Sequence, residues 1–252
     1  MTTSSPLIIG ATGGSGTRVV ARIAQRAGYN LGTYLNEAND ALAFRPFHDR
    51  WINRFLEAEN RNANLAGPEL DRIARDFQVA LARHGQLGGA GSHWGWKAPR
   101  SIYLLPFFHA QFPGLKFIHV VRDGRDMAFS KNQNQLRKHG ARVLSRDERW
   151  FNRGPVRSIL LWAKVNLHAA EFGETQLRQK YLTIRFEDLC GEPVETTSRI
   201  LRFLDADLDS ESIAQAEIAA PLSIGRWRGQ PKALVSKMTE AGQVALRKFG
   251  YL

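Results

Sequence analysis

The stretch LIIGATGGSGTRVVARIAQRAGYN, Leu7 to Asn30, constrains the fold most. A short apolar run passes through a glycine-rich bend into a pattern with Val19, Val20, Ile23, Ala24 and Ala27 on one helical face. Gly13, Gly14 and Gly16 permit positive φ and close backbone approach, so a row of N–H groups at a helix N-terminus can face an anion. Ser15 and Thr17 add hydroxyl donors. Taken alone, the same glycines also suit a plain strand-to-helix turn. The loop is not a Walker A motif, because no Gly-Lys-Ser/Thr follows it. Nor is it Gly-x-Gly-x-x-Gly, because Val19 stands where the third glycine belongs.

Further apolar runs read as buried strands at Lys116 to Val121 (KFIHVV) and Tyr181 to Phe186 (YLTIRF), with a weaker one at His93 to Lys97 (HWGWK). Helical patterns separate them, among them PELDRIARDFQVALARHG, with Pro68 near its start, and PVRSILLWAKVNLHAAEFG, ending at Gly173. This alternation predicts an α/β fold with a parallel sheet covered on both faces. Residues 45–90 carry no strand signal and read as a helical insertion between the first two strands, closed by GQLGGAGS. A chain of 252 residues with 43% hydrophobic content fits one domain, 1–252. In such sheets the ligand crevice lies beyond the carboxyl ends of the strands, which here carry ATGGSGTR, APRS, RDGRD and EDLCGEP.

A formal net charge of +11 calls for an anionic partner. The lone Cys190 excludes an internal disulfide and suits a reducing compartment. MTTSSP has no charged n-region, and no apolar stretch is long enough for a membrane span, so a cytoplasmic location is expected. The seven histidines show no metal-ligand spacing and no Asp-rich cluster suggests magnesium, so no metal is expected. The basic run from Lys131 to Arg153 carries Trp150 and Phe151 as one adjacent pair near its end and not interleaved along it, which gives nucleic acid little support; it reads as a solvated face or an acceptor-side segment that attracts an anionic substrate. Arg122 at the tip of KFIHVV and Ser130 eight residues on, about two helical turns away, place a guanidinium fork and a hydroxyl at one mouth, suited to a phosphate monoester.

GGSGTR, VVRDGRDMAFS, RFEDLCGEP and IGRWRGQP, in this order, resemble the motifs of the PAPS-dependent sulfotransferases. The resemblance runs from Gly10 to Pro231 and implies a P-loop-like three-layer α/β/α fold. It also implies metal-independent, in-line transfer of a sulfuryl group from PAPS to a hydroxyl or amine, with PAP as product. By motif position, Gly13, Gly14, Ser15, Gly16 and Thr17 hold the 5'-phosphosulfate, and Arg122 and Ser130 the 3'-phosphate. Arg226 and Trp227 close over the nucleotide, one on phosphate and the other on the base. Phe186 stands where the family commonly has tyrosine, and Gly14 where many members have Lys or Arg; Arg18 is the nearest substitute cation.

GWKAPR resembles a family element that often carries a substrate-side lysine, here Lys97. For the base, the family's carboxylate position after the first helix corresponds to Glu37 and Asp40, three residues apart and on one face of a helical turn. His93, just before the strand bearing Lys97, is the rival; position favours Glu37 and intrinsic basicity favours His93. His119 reads as a satisfied core residue, and Trp51, Trp94, Trp96, Trp150 and Trp162 as core or rim aromatics that could also line an acceptor site. The acceptor class, a small molecule or carbohydrate among others, stays open, as does the oligomeric state. The alternatives to catalysis are a nucleotide-binding module or inactive relative, and a kinase-like phosphotransferase, which the missing Gly-Lys-Ser/Thr disfavours.

Overall fold

The computed structural model describes residues 5–252 apart from 62, 64, 66, 86–92, 220 and 222, so most of GQLGGAGS lies outside the described residues. Four strands, β1 (Leu7–Gly10), β2 (Gly95–Lys97), β3 (Lys116–Val121) and β4 (Tyr181–Arg185), form one sheet in the order β2-β1-β3-β4. Every pairing is parallel: Leu7 lies beside Gly95 and Lys116, and Val121 beside Arg185. β2 is shorter than the sequence suggests, with Trp94 forming only an isolated bridge to Asn30.

The period of the strand sends successive side chains to opposite faces. Ile8 joins Trp96 and Phe117 in one core, while Leu7 and Ile9 join Ile118, Val120 and Ile184 in another. The first core is roofed by α2 (Arg45–Asn60), α3 (Gly67–His84), α4 (Leu105–Gln111) and α8 (Pro155–Phe172). The second is covered by α1 (Thr17–Arg26), α9 (Phe186–Gly191) and α10 (Pro193–Phe203). The result is the expected three-layer α/β/α arrangement, with α2 and α3 filling the stretch read as a helical insertion. Around the end of β3 a third cluster gathers Val121, Met127 of α5 (Gly124–Ala128), Trp162 of α8, Met238 of α12 (Lys232–Ala241) and Leu246 of α13 (Gln243–Lys248). Among the described residues no helix is long and apolar enough to cross a membrane.

His119 sits inside β3 with no exposure. Its Nε2 lies 2.7 Å from Asn166 Oδ1 and its Nδ1 2.6 Å from the Tyr181 hydroxyl. Since the Asn166 amide nitrogen donates to Trp162 O at 2.7 Å, its oxygen faces the ring, which assigns a neutral imidazole protonated at Nε2. Burial pushes the His119 pKa down to about 4. His139, on α6 (Asn134–Val143) and 2.8 Å from Asn53 Oδ1 of α2, is likewise held at about 4 by burial and by the positive charges of Arg100 and Lys138.

Both imidazoles take up protons more readily when unfolded, where the pKa is about 6.5. Their contribution is complete above that pH and is lost as the pH falls toward the native value. Denaturant unfolding at pH 7 and pH 5 is expected to show a loss of about 2 kcal/mol for each histidine. Equal unfolding free energies at the two pH values would show that these rings titrate normally in the native state.

Candidate functional site

The carboxyl ends of the four strands bring the sequence's separate motifs to one edge. β1 leads into the glycine loop, whose base is tied down by backbone and side-chain bonds. Ala11 N donates to Pro99 O at 3.0 Å, Gln135 Nε2 to Ala11 O at 3.3 Å, and Ser15 Oγ to Thr12 O at 2.6 Å. Gly14 and Gly16 have φ of 87° and 84°. Gly16 is the N-cap of α1, and a Cβ there would stand 2.1 Å from the Phe186 ring. Two independent constraints therefore require glycine at 16: a left-handed backbone and an aromatic ring against its Cα. Phe186, despite lacking a hydroxyl, retains the packing role of the position it occupies. The α1 terminus is left facing the mouth without a side-chain cap.

Gly14 is exposed, and the atoms nearest a Cβ added there are Met127 Cε at 3.5 Å and Ser130 Oγ at 3.8 Å. Ser130 thus comes beside the loop, and the two helical turns expected between Arg122 and Ser130 are not formed. α5 stops at Ala128, and Ser130 lies just past it with its hydroxyl accepting from Asn132 N at 3.2 Å. Arg122 leaves β3 buried at 5% exposure, its guanidinium 5.2 Å from the Phe186 ring centroid. Its Nη2 donates to Ser223 O at 2.6 Å and Ser223 Oγ at 3.0 Å, while Nε is buried with no partner.

Asp126 is a residue that sequence reasoning missed. With 1% exposure, its carboxylate accepts from Gly225 N at 2.7 Å and Trp227 N at 3.2 Å and lies 3.6 Å from Arg122 Nη2. It clamps the C-terminal turn Arg226–Gly229 against the tip of β3. The available signal was its place four residues after Arg122 on a helix turn. Arg226 and Trp227 do come to this edge. Arg226 Nε donates to Ser223 O at 3.1 Å. The guanidinium groups of Arg125 and Arg228 lie 3.9 and 4.9 Å from the centroid of the Trp227 ring, a cation–π arrangement that holds the ring in place.

At the end of β2, Lys97 is buried at 1% exposure, forms an ion pair with Asp40 and donates to Ala38 O at 2.6 Å. Burial lowers its pKa, Asp40 opposes that shift, and the charge of Arg18 adds to the lowering, which places Arg18 within electrostatic reach of Lys97. Arg18 itself is exposed on the first turn of α1 and makes no hydrogen bond or ion pair among the described residues. Arg100, the other basic residue of GWKAPR, is turned away onto Asp49 of α2 at 2.6 Å.

The pair Glu37 and Asp40 does not share a helix face. Asn36 Oδ1 accepts from Ala38 N at 2.9 Å and Asp40 N at 2.8 Å, Asn39 has φ 62°, and Leu35 bridges Ala41 antiparallel. Side-chain bonds to the backbone thus win over helix here. The tight turn points Asp40 at Lys97 and leaves Glu37 exposed without a partner among the described residues. His93 is not brought to this edge. Because β2 runs parallel to β1, His93 lies at the amino edge of the sheet, its carbonyl bonded to Asn30 N and its ring 4.9 Å from Tyr29. Among the described residues no group of three or more His, Cys, Asp or Glu side chains is placed to hold a metal ion.

A glycine-lined helix terminus, a buried arginine with an unused donor and a second buried cation share the carboxyl edge of a parallel α/β sheet, an arrangement suited to an anion. The sulfotransferase family model matches residues 10–210, so the chain belongs to the sulfotransferase family. Its structure is similar to the sulfotransferase domain of the Synechococcus PCC 7002 olefin synthase, at 17% identity and a TM-score of 0.54, covering 97% of this chain and 96% of that one. It is also similar to sulfotransferase STF9 from Mycobacterium avium, at 13% identity, a TM-score of 0.57 and coverage of 98% and 77%. A sulfotransferase from Alicyclobacillus acidocaldarius matches at 17% identity, a TM-score of 0.51 and coverage of 97% and 96%. No curated protein matches the chain.

The Asp126 clamp carries its own test. Asp126→Ala strands two N–H groups and leaves Arg122 without its carboxylate, an expected loss of about 3–5 kcal/mol in urea unfolding. The same substitution is expected to open Arg226 and Arg228 to trypsin. Unchanged stability together with an uncut segment would contradict the clamp.

Proposed function

We propose that the chain transfers a sulfuryl group from PAPS to a hydroxyl or amine acceptor by in-line displacement. The observation that carries the reading is the meeting of the glycine loop with Ser130 at the edge where Arg122 leaves β3: a hydroxyl beside the vacant Cβ position of Gly14, and a buried guanidinium with an unpartnered Nε. An added side chain at Gly14 would occupy the ground between loop and Ser130, so its absence suits a close-lying polyanion. Arg122 and Ser130 would hold the 3'-phosphate, and the N–H groups of 13–17 with the Ser15 and Thr17 hydroxyls the 5'-phosphosulfate. PAPS supplies the sulfuryl group and leaves as PAP.

The remaining roles fall to three side chains near the mouth. Arg18, exposed and unpaired, takes the place of the cation missing at Gly14 and offsets charge gathering on the leaving phosphate. Lys97 presents a fixed positive charge whose position Asp40 sets. Since Asp40 is engaged by Lys97, Glu37 is the carboxylate free to accept the acceptor proton. His93, at the far edge, takes no part.

The reading distinguishes nucleotides by their 3'-phosphate. At 100 times its dissociation constant, 3',5'-ADP is expected to add ~2.7 kcal/mol of stability, with 5'-AMP and ATP-magnesium giving much less under the same conditions. Arg122→Ala should then weaken 3',5'-ADP binding by ~2–4 kcal/mol. Equal protection by all three nucleotides overturns the assignment.

Arg18→Ala separates catalysis from binding. Turnover of labelled PAPS is expected to fall by about tenfold or more, with nucleotide affinity nearly unchanged, because the cation acts on charge that develops only during transfer. A matching loss of affinity, or no loss of either, removes Arg18 from that role. A binding protein without turnover would show the nucleotide protection and no transfer to any acceptor.

A further inference from the structure

The helix α7 (Arg146–Phe151) ends in two adjacent aromatics that face solvent, Trp150 at 75% and Phe151 at 73% exposure, and it contains no buried residue. The turn is nonetheless firmly specified. Ser145 and Glu148 form a reciprocal cap, with Glu148 N donating to Ser145 Oγ at 3.1 Å and Ser145 N to Glu148 Oε2 at 2.7 Å, and Lys164 pairs with Glu148 at 2.7 Å. Arg157 ties the following chain back to Asn152 O at 2.6 Å. The aromatics are therefore displayed on a locked turn.

Their surroundings are strongly basic. Residues 131–153 hold seven Lys or Arg against Asp147 and Glu148 alone. Among the described residues Lys131, Arg137, Arg146, Arg149 and Arg153 have no carboxylate partner, and Arg146 lies one turn before Trp150 on the same face. The patch also adjoins the mouth. α8 begins four residues after Phe151, and its Ser158 donates to Gln133 Oε1 at 2.9 Å, while Gln133 Nε2 donates to Ser130 O at 2.8 Å.

An occupant must cover apolar surface and carry negative charge. A second copy of the chain meets the first condition but would bring two basic segments together. We propose that Trp150 and Phe151 seat in the interfacial layer of an anionic phospholipid bilayer, with Arg146, Arg149 and Arg153 on its headgroups. Amphipathic aromatic rings favour that layer and basic residues are drawn to its surface. This docking goes beyond the sulfotransfer reading and does not depend on it.

The test is flotation of the whole chain, without nucleotide, on vesicles of phosphatidylcholine alone and of phosphatidylcholine mixed equally with phosphatidylglycerol. Wild type is expected to float with the mixed vesicles only, and less at high salt. Trp150→Ser with Phe151→Ser, both exposed and so tolerated by the fold, is expected to lower the partition coefficient by about tenfold or more, and Arg146→Glu with Arg153→Glu to act likewise. No flotation, equal flotation on both vesicle types, or flotation untouched by either pair of substitutions overturns the proposal. So does a dimer, seen by light scattering, that dissociates in the aromatic variant, or retention on polyglutamate with no vesicle binding.

Discussion

The carboxylate of Asp126 holds two distant parts of the chain in one place. Its oxygens meet the N–H groups of Gly225 and Trp227 and stand beside Arg122, whose own fork reaches Ser223. A guanidinium at the tip of a central strand is costly to bury alone, since an unpaired charge loses its hydration without compensation. Asp126 removes that obstacle on one side of the fork, while the other side keeps a buried Nε with no partner. The arrangement allows Arg122 to be rigid before any anion arrives, and preorganised donors lose little on binding. The C-terminal segment lies outside the residues matched by the family model, so its place in the site rests on this geometry.

The second basic centre follows the opposite strategy. Lys97 is buried at the end of β2, lowered in pKa by that burial, and kept charged by Asp40. Arg18 stands exposed nearby and unpaired. One cation is thereby fixed and largely neutralised, and the other is free to move. Charge that appears only during group transfer is better met by the free one, whereas a fixed, compensated cation serves to position. Under the proposed function this division also accounts for the glycine at position 14. Its left-handed φ of 87° favours glycine, and Arg18 on the first turn of α1 would supply the cation that position 14 does not carry.

The strands and the edge they share were legible in sequence, because strand period and glycine loops are local properties. β1 and β3 occupy the residues their apolar runs mark, and Arg122 stands at the tip of β3 while Ser130 comes beside Gly14 of the loop. Local reasoning failed where side chains compete for the backbone. The turn at Asn36 splits Glu37 from Asp40, although three-residue spacing would join them on a helix. It failed again over direction: His93 and Lys97 lie in one short segment, yet a parallel strand puts its two ends at opposite edges of the sheet. Nor does the sequence mark the cation–π contact of Trp227 with Arg125, a partner that only the folded chain brings close. The Asp126 contacts with Gly225 and Trp227 span about a hundred residues, beyond any periodic pattern.

The distribution of charge shows why the net value of +11 is a weak guide by itself. Many basic residues are answered by carboxylates: Arg100 and Lys138 share Asp49, Lys116 meets Asp205, and Arg26 meets Glu217. The rest gather mainly in two places with different physical character. At the strand ends they are few, and Arg122 and Lys97 are withdrawn from water, where a single phosphate or sulfonate is felt strongly because screening is weak. Along residues 131–153 they are numerous and exposed, individually weak and strongly screened, so they act only on a surface that presents many charges at once. A small anion suits the first and an extended anionic surface the second. On the two proposals the same excess charge serves two separate partners, and the exposed aromatic pair on α7 suits the second to a surface that also accepts apolar rings.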